Sequence, residues 1–320
     1  MLDERVRRYF DGVAATYART WTDVALGYPL VQRRSEHALR WLRGRMHPGS
    51  GWVLDIGCGT GYFLDLLANA GYRAHGLDVA PRMVEEARQR VAARGAGRDR
   101  VVVEVADAAA WNPPRRFQGA VALGVLEYLP EDEELFRTVN GALEPGGGFL
   151  VECRNRLFSL CSANHYTRDA IRSGEHERLL HEYEELQRTP LLRPFRDAAG
   201  EAVEALRAAL EARGAPEKPG TRHGEAAPGE GPEPETLARR QHTPLQLAAV
   251  ADRHGFEMVH LHFLHFHPFP PRFEAEAPII FRRLGLALDT LGDTPIGAVM
   301  SSCFLAGFEK RREPQPNEKG

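Results

Sequence analysis

The chain has 320 residues, 43% of them hydrophobic and 27% charged, with a net charge of −3 and an isoelectric point near 6.5. Such a composition can bury a large core, in one domain with an insertion or in two, and offers no electrostatic case for nucleic acid or an anionic membrane as the main partner. The charged start MLDERVRRYF lacks the apolar stretch of a secretory signal, and no run approaches the roughly 18 apolar residues that span a bilayer, so a cytoplasmic location without a membrane partner is expected. Cys58, Cys153, Cys161 and Cys303 form no CxxC pair, which argues against a disulfide scaffold or a cysteine zinc site.

Residues 1–46 read as helical, with interleaved aromatics including Tyr9, Phe10, Tyr17, Trp21, Tyr28 and Trp41. From Gly51 to Cys153 short apolar runs alternate with helical periods: WVLDIG, RAHGLD, VVVEVAD, GAVALGVL and GGFLVEC as strands, with GYFLDLLANAG, PRMVEEARQRVAAR and EDEELFRTVNGAL as helices. Strands separated by helices imply parallel pairing, right-handed crossovers and a sheet covered on both faces. The alternation stops after Cys153, and 165–213 holds polar, helix-favouring stretches. Residues 214–234 carry five Gly and five Pro and read as a flexible linker. TPLQLAAVADRHG then reads as a helix, and FEMVHLHFLHFH and SSCFLAGFEK as strands.

The stretch VLDIGCGTGYFLDL, residues 53–66, runs a strand into Gly57, Gly59 and Gly61 and then into a helix. A helix start after a strand offers free N–H groups and a positive dipole end, which suit an anionic or polar ligand. The GxGxG spacing departs from the dinucleotide fingerprint GxGxxG, whose third glycine position is Tyr62 here. Asp55 precedes the loop, Asp78 ends the second strand and Asp107 ends the third. Each aspartate alone reads equally as a helix cap. Three of them at the carboxyl ends of successive strands, where ligands bind in such sheets, fit capping poorly.

With those residues in place, 53–61, Asp78, Asp107, FQGAVALGVLEYLPED and LEPGGGFLVE resemble the ordered motifs of class I S-adenosylmethionine-dependent methyltransferases, well over about 50–153 and more loosely over 241–310. The resemblance implies an α/β fold: a doubly wound seven-stranded sheet in the order 3-2-1-4-5-7-6 with strand 7 antiparallel. It implies an N-terminal helical lid at 1–48, a core at 49–155 and 241–311, and a helical insertion at 156–240. It also implies S-adenosylmethionine as cofactor. Asp55 with Gly57, Gly59 and Gly61 would face the methionine part and Asp78 the ribose. Val79 would pack on adenine, Asp107 with Ala108 would read the adenine edge, and Leu123 would offer its carbonyl to the amino group. FDGVAATYARTW resembles the lid of small-molecule members, which makes Tyr9 and Tyr17 contacts to the cofactor.

Methyl transfer from a sulfonium needs in-line alignment and, for a hydroxyl acceptor, loss of a proton. In FEMVHLHFLHFHPFPP, alternation puts His260 and His262 on one face and His265 and His267 on the other, the latter pair nearest the ligand-binding rim. His265 and His267 are therefore the expected general base; ordinary half-buried histidines and an HxH metal site are the competing readings, and no metal is expected. Glu127, Tyr128, Arg154, Asn155, His165 and Tyr166 are expected to line the acceptor pocket, with the arginine able to pair an acidic substrate group. The expected activity is methylation of a small-molecule hydroxyl in a biosynthetic pathway. The alternatives are N-methylation and a non-catalytic S-adenosylmethionine-binding regulator; an oxidoreductase and a nucleic-acid methyltransferase are opposed by the loop spacing and by the charge.

Overall fold

A computed structural model describes residues 4–20, 28–93, 98–211, 239–274 and 276–311. Trp21 and the linker reading at 214–234 lie outside the described residues. Two helices lead in, α1 (Glu4–Thr20) and α2 (Leu30–Arg43). The alternating core follows as β1 (Trp52–Ile56), α3 (Tyr62–Asn69), β2 (Arg73–Asp78), α4 (Pro81–Ala93), β3 (Val101–Val105), β4 (Phe117–Ala122), α5 (Glu133–Ala142) and β5 (Leu143–Arg154). Then come α6 (His165–Arg172), α7 (Glu175–Leu186), α8 (Phe195–Glu211), α9 (Pro244–Arg253), β6 (Phe256–Phe266), α10 (Pro278–Leu288), α11 (Pro295–Met300) and β7 (Ser301–Lys310).

The seven strands form one sheet in the order β3-β2-β1-β4-β5-β7-β6, as the resemblance implies. β1 to β5 pair in parallel, and β7 runs antiparallel to both β5 and β6. β6 is thus parallel to β5, and its carboxyl end falls on the same rim as the loop after β1. Successive residues of the central strands face opposite ways, so these strands are largely apolar and feed two cores, with Asp55 of β1 and Glu152 of β5 as buried acids among them. On one side Leu54, Ala120 and Phe149 join Phe136, Phe256 and Phe308, whose rings meet edge to face at 5.4–5.9 Å. On the other side Val53, Val121 and Leu150 pack under Leu42 of α2 and Leu64 of α3.

Two helices between β6 and β7 were not legible in the sequence. Proline-rich spacing masked them, yet Pro278 and Pro295 stand in the first turn of α10 and α11, where the missing N–H costs nothing. The chain leaves the core at Asn155 and returns at His242, and these two residues pair as a parallel bridge. Between them, Ala170, Leu179 and Leu186 of α6 and α7 join the same core as β4 and β5. Among the described residues no helix is long and apolar enough to cross a membrane.

The returning segment is clasped to the core by charge. Arg240 donates through both terminal nitrogens to Asp132 (2.7 and 2.9 Å), and His242 Nε2 meets the same carboxylate at 2.9 Å. Burial raises the Asp132 pKa, but the bonds from His242 and Arg240 outweigh it and leave it below the usual carboxylate value. The clasp therefore stabilises the fold above the unfolded carboxylate pKa of about 4 and is lost as pH falls through the lower folded value. Asp132→Asn should cost about 1–3 kcal/mol in urea unfolding at neutral pH, and the difference from wild type should shrink as pH falls below about 4. An unchanged difference at acid pH would remove the clasp from the ledger.

Candidate active site

The loop after β1 is shaped by its tie to β2. Gly57 and Cys58 both donate their N–H to the Leu77 carbonyl, at 2.7 and 2.9 Å. Gly57 and Gly59 adopt left-handed φ of +68° and +51°. A Cβ on Gly57 would stand 2.3 Å from Val125 Cγ2, whereas one on Gly59 would meet only the Tyr17 ring, 4.0 Å away. Glycine is needed at the first for packing and at the second to leave open space beside the loop. Asp78 accepts from Gly59 N and Ala80 N, both at 2.9 Å. A carboxylate has about four lone-pair directions, so Asp78 braces the loop and still has acceptor capacity for ribose hydroxyls.

Above this loop lies a cavity of about 1010 Å³, its open mouth included. Its wall contains Asp55, Gly57, Gly59, Asp78, Val79, Asp107, Ala108, Leu123, Tyr17 and Tyr128, bringing together most of the residues singled out in the sequence. Gly61 stands behind the wall as the left-handed cap of α3, packed on Ala87 of α4. Asp107 accepts from Ala109 N at 3.0 Å, a local turn bond.

α1, read in the sequence as part of a lid, contributes residues to the cavity wall. Val6, Phe10 and Tyr17 line it; Tyr9 does not, and packs edge-on against Phe10 at 5.2 Å. Phe10 in turn meets Tyr128 edge-on at 5.2 Å, joining the lid to the turn after β4. Asp11 accepts from Arg82 N at 2.9 Å and pins the lid to the start of α4.

Two charged wall residues carry orphaned polar atoms. Asp55 is 2% exposed, and its Oδ2 has no hydrogen-bond partner. Burial, then the charge of Asp78, pushes its pKa up to about 8, with Arg34 pulling the other way. Arg34, on α2, gives Nη1 to Glu152 Oε2 at 2.5 Å while its buried Nε is left without a partner. The sequence reading missed both Arg34 and Glu152. Arg34 is one of several arginines in LVQRRSEHALRWLR and carries no local signature. Glu152 does: an acid inside the buried run FLVEC demands a partner.

The acceptor-side expectations divide. Glu127 and Arg154 pair at 3.3 Å next to the wall residue Tyr128, whose pKa burial and Glu127 both raise. Asn155 is a framework residue: its amide donates to Ala298 O and Ser301 O, its oxygen accepts from Leu157 N, and it is 1% exposed. His165 is exposed at the start of α6, where its ring stacks on Tyr166 at 3.9 Å; neither lines the cavity.

His265 and His267 do lie at the carboxyl end of β6, yet that strand is at the sheet edge and neither residue is in the cavity wall. His265, at a φ of +60°, bonds Ser302 Oγ through Nδ1 at 2.7 Å and packs on Tyr28 at 4.8 Å. His267 is wedged between Phe158 and Phe281. Burial, aided at His265 by His267 and Arg154, pushes their pKa values down to about 3 and about 4. The cause is desolvation: both rings lie where the sequence reading set them, at the carboxyl end of β6, but they are weak bases held in aromatic packing outside the cavity wall.

Comparison with known proteins agrees with this geometry. Residues 53–147 match a family model described as a methyltransferase domain. The chain is 28% identical over 142 residues to the ubiquinone biosynthesis O-methyltransferase of Xanthomonas axonopodis pv. citri, which covers 44% of this chain and 59% of that one. It is 36% identical over 107 residues to the trans-aconitate 2-methyltransferase of Methylobacterium radiotolerans, 33% of this chain and 38% of that one. The chain thus spans less than two thirds of the length of these relatives. In fold it is similar to magnesium protoporphyrin IX methyltransferase from Synechocystis PCC 6803, with a TM-score of 0.53, 13% identity and coverage of 96% and 100%. Residues 53–147 thus match a methyltransferase domain, and the loop, strand-end acids and strand order around them resemble those of the class I S-adenosylmethionine-dependent methyltransferases.

Proposed function

We propose that the cavity binds S-adenosylmethionine and that the protein transfers its methyl group to a small-molecule oxygen that is already acidic, such as a phenol or a carboxylic acid. The observation that carries the reading is the orphaned pair on one wall: Asp55 Oδ2 and Arg34 Nε, a carboxyl oxygen and a guanidinium nitrogen, both buried and unpartnered. A zwitterionic α-amino acid group satisfies both at once, its ammonium at Asp55 and its carboxylate at Arg34. Asp78 and Asp107, both in the cavity wall, support the reading as acceptors for the ribose and the adenine. The bound cofactor supplies an electrophilic methyl on sulfur; the chain supplies alignment and, through α1, exclusion of water.

The acidic acceptor follows from the histidines. Rings with pKa values near 3 and 4 accept a proton poorly at neutral pH, so alignment has to suffice. The relatives named for O-methylation and for trans-aconitate support an oxygen acceptor of this kind. The test is transfer of labelled methyl to a panel of phenols, carboxylic acids, alkyl alcohols and amines. Label on a phenol or carboxylate is expected; label on amines alone, or on none, overturns the reading. His265→Ala and His267→Ala should each keep turnover within about threefold, where loss of a true base costs about 10²–10⁴-fold.

Asp55 sets a pH dependence. With a free-state pKa of about 8 it is protonated at neutral pH, and pairing with an ammonium requires it ionised. S-adenosylmethionine affinity should therefore rise between about pH 6 and 7.5, each binding event releasing close to one proton. Calorimetry in buffers of different ionisation enthalpy reads this directly, and pH-independent binding without proton release would contradict it. Because the folded pKa lies above the unfolded value, Asp55 lowers stability as pH rises from about 4 to about 8. Asp55→Asn should raise stability at neutral pH by about 1–3 kcal/mol while weakening ligand binding at least about tenfold.

A further inference from the structure

Glu152 lies in β5, 5% exposed, flanked by the buried Val151 and Cys153 and opposite Leu305 of β7. Its partner Arg34 comes from α2, 118 residues away, and its side chain is only 13% exposed. Stability alone gives no reason for such a pair, since an apolar pair of similar volume packs as well or better in a buried setting. The surroundings are built around the guanidinium. Gly124 takes a left-handed φ of +73°, and a Cβ there would come within 2.7 Å of Arg34 Nη1. Tyr17 of the lid is also within hydrogen-bond reach of Arg34.

The guanidinium is a rigid planar fork of five donors, so fixing one nitrogen fixes the direction of the others. Nη1 is spent on Glu152, and Nε is buried, unpartnered and part of a residue in the cavity wall. We propose that Glu152 is a positioning residue: by holding Nη1 it aims the remaining donors of Arg34 into the cavity and makes Arg34 the receptor for the α-carboxylate of the methyl donor. This rests on reading the cavity as an S-adenosylmethionine site. Burial disfavours the Arg34 cation, and Glu152, Tyr17 and Glu127 together more than offset that, Glu152 the most, so Arg34 stays charged. Glu152 thus supplies both orientation and charge, and never touches the ligand itself.

The test compares two ligands by calorimetry: S-adenosylmethionine, and 5′-methylthioadenosine, which keeps the nucleoside and sulfur but lacks the amino acid. Glu152→Gln should weaken S-adenosylmethionine at least about tenfold and leave 5′-methylthioadenosine within about threefold. Arg34→Met should give a similar loss, and the two changes combined should cost little more than either alone. Equal weakening of both ligands, full retention of S-adenosylmethionine affinity, or strictly additive losses would overturn the proposal. Should Glu152→Gln fail to fold, the apolar pair Arg34→Met with Glu152→Leu replaces it, and must bind 5′-methylthioadenosine without preferring S-adenosylmethionine; a retained preference is equally fatal. Wild type that binds 5′-methylthioadenosine no more weakly than S-adenosylmethionine sinks this inference alone. Wild type that binds neither sinks the functional reading with it.

Discussion

Two backbone bonds to one carbonyl organise the site. The Leu77 oxygen takes the N–H groups of both Gly57 and Cys58, so the chain leaving β1 must turn toward the end of β2 before α3 can begin. That turn carries Gly59 under the Asp78 carboxylate and sets Asp78 at the boundary between loop and cavity. The parallel register of β1 with β2 and β4 then decides what faces the space above: Asp55 from one strand, Asp78 from the next, Leu123 beyond the third. Glycine is required where Val125 closes in, and the lid has room to settle because Gly59 has no side chain beneath Tyr17.

The same region is where the fold gives up stability. A buried carboxylate oxygen and a buried guanidinium nitrogen without partners are each disfavoured by desolvation, and the core nearby is packed tightly enough to have excluded them. Strain of this kind is stored at sites where a ligand completes the missing bonds. By contrast, the charged clasp at Asp132 has partners on every side and holds the returning chain against the turn after β4, where Arg240 N also donates to Glu127 O at 2.9 Å.

The core was legible because its signals are local. Strand length, helix period and the acids at strand ends all lie within a few residues of one another between Gly51 and Cys153, and the expected sheet order follows from them together with the family resemblance. The nucleoside side of the cavity was legible for the same reason. Arg34 was not, because its role exists only through Glu152, far along the chain. The histidines of β6 misled in the opposite way: their positions were read correctly, but a general base is defined by its dielectric surroundings, and Phe158, Phe281 and Tyr28 come from three separate segments. Tyr9 and Phe10 are adjacent on α1, so only the exact rotation of that helix distinguishes the wall residue from its neighbour.

The bridge between Asn155 and His242 has a bearing on how such a protein can change over generations. The two ends of the intervening chain already lie side by side, and Ala170, Leu179 and Leu186 anchor it on the core, so the rest of the segment acts on the sheet only as a closed loop. The entropy of closing a loop grows logarithmically with its length, about 0.6 kcal/mol for each doubling. Exposed parts of that segment can therefore be lengthened or trimmed at small entropic cost while the sheet keeps its geometry. In this sense the bridge is a socket, and what is plugged into it is free to diverge faster than the sheet that carries it.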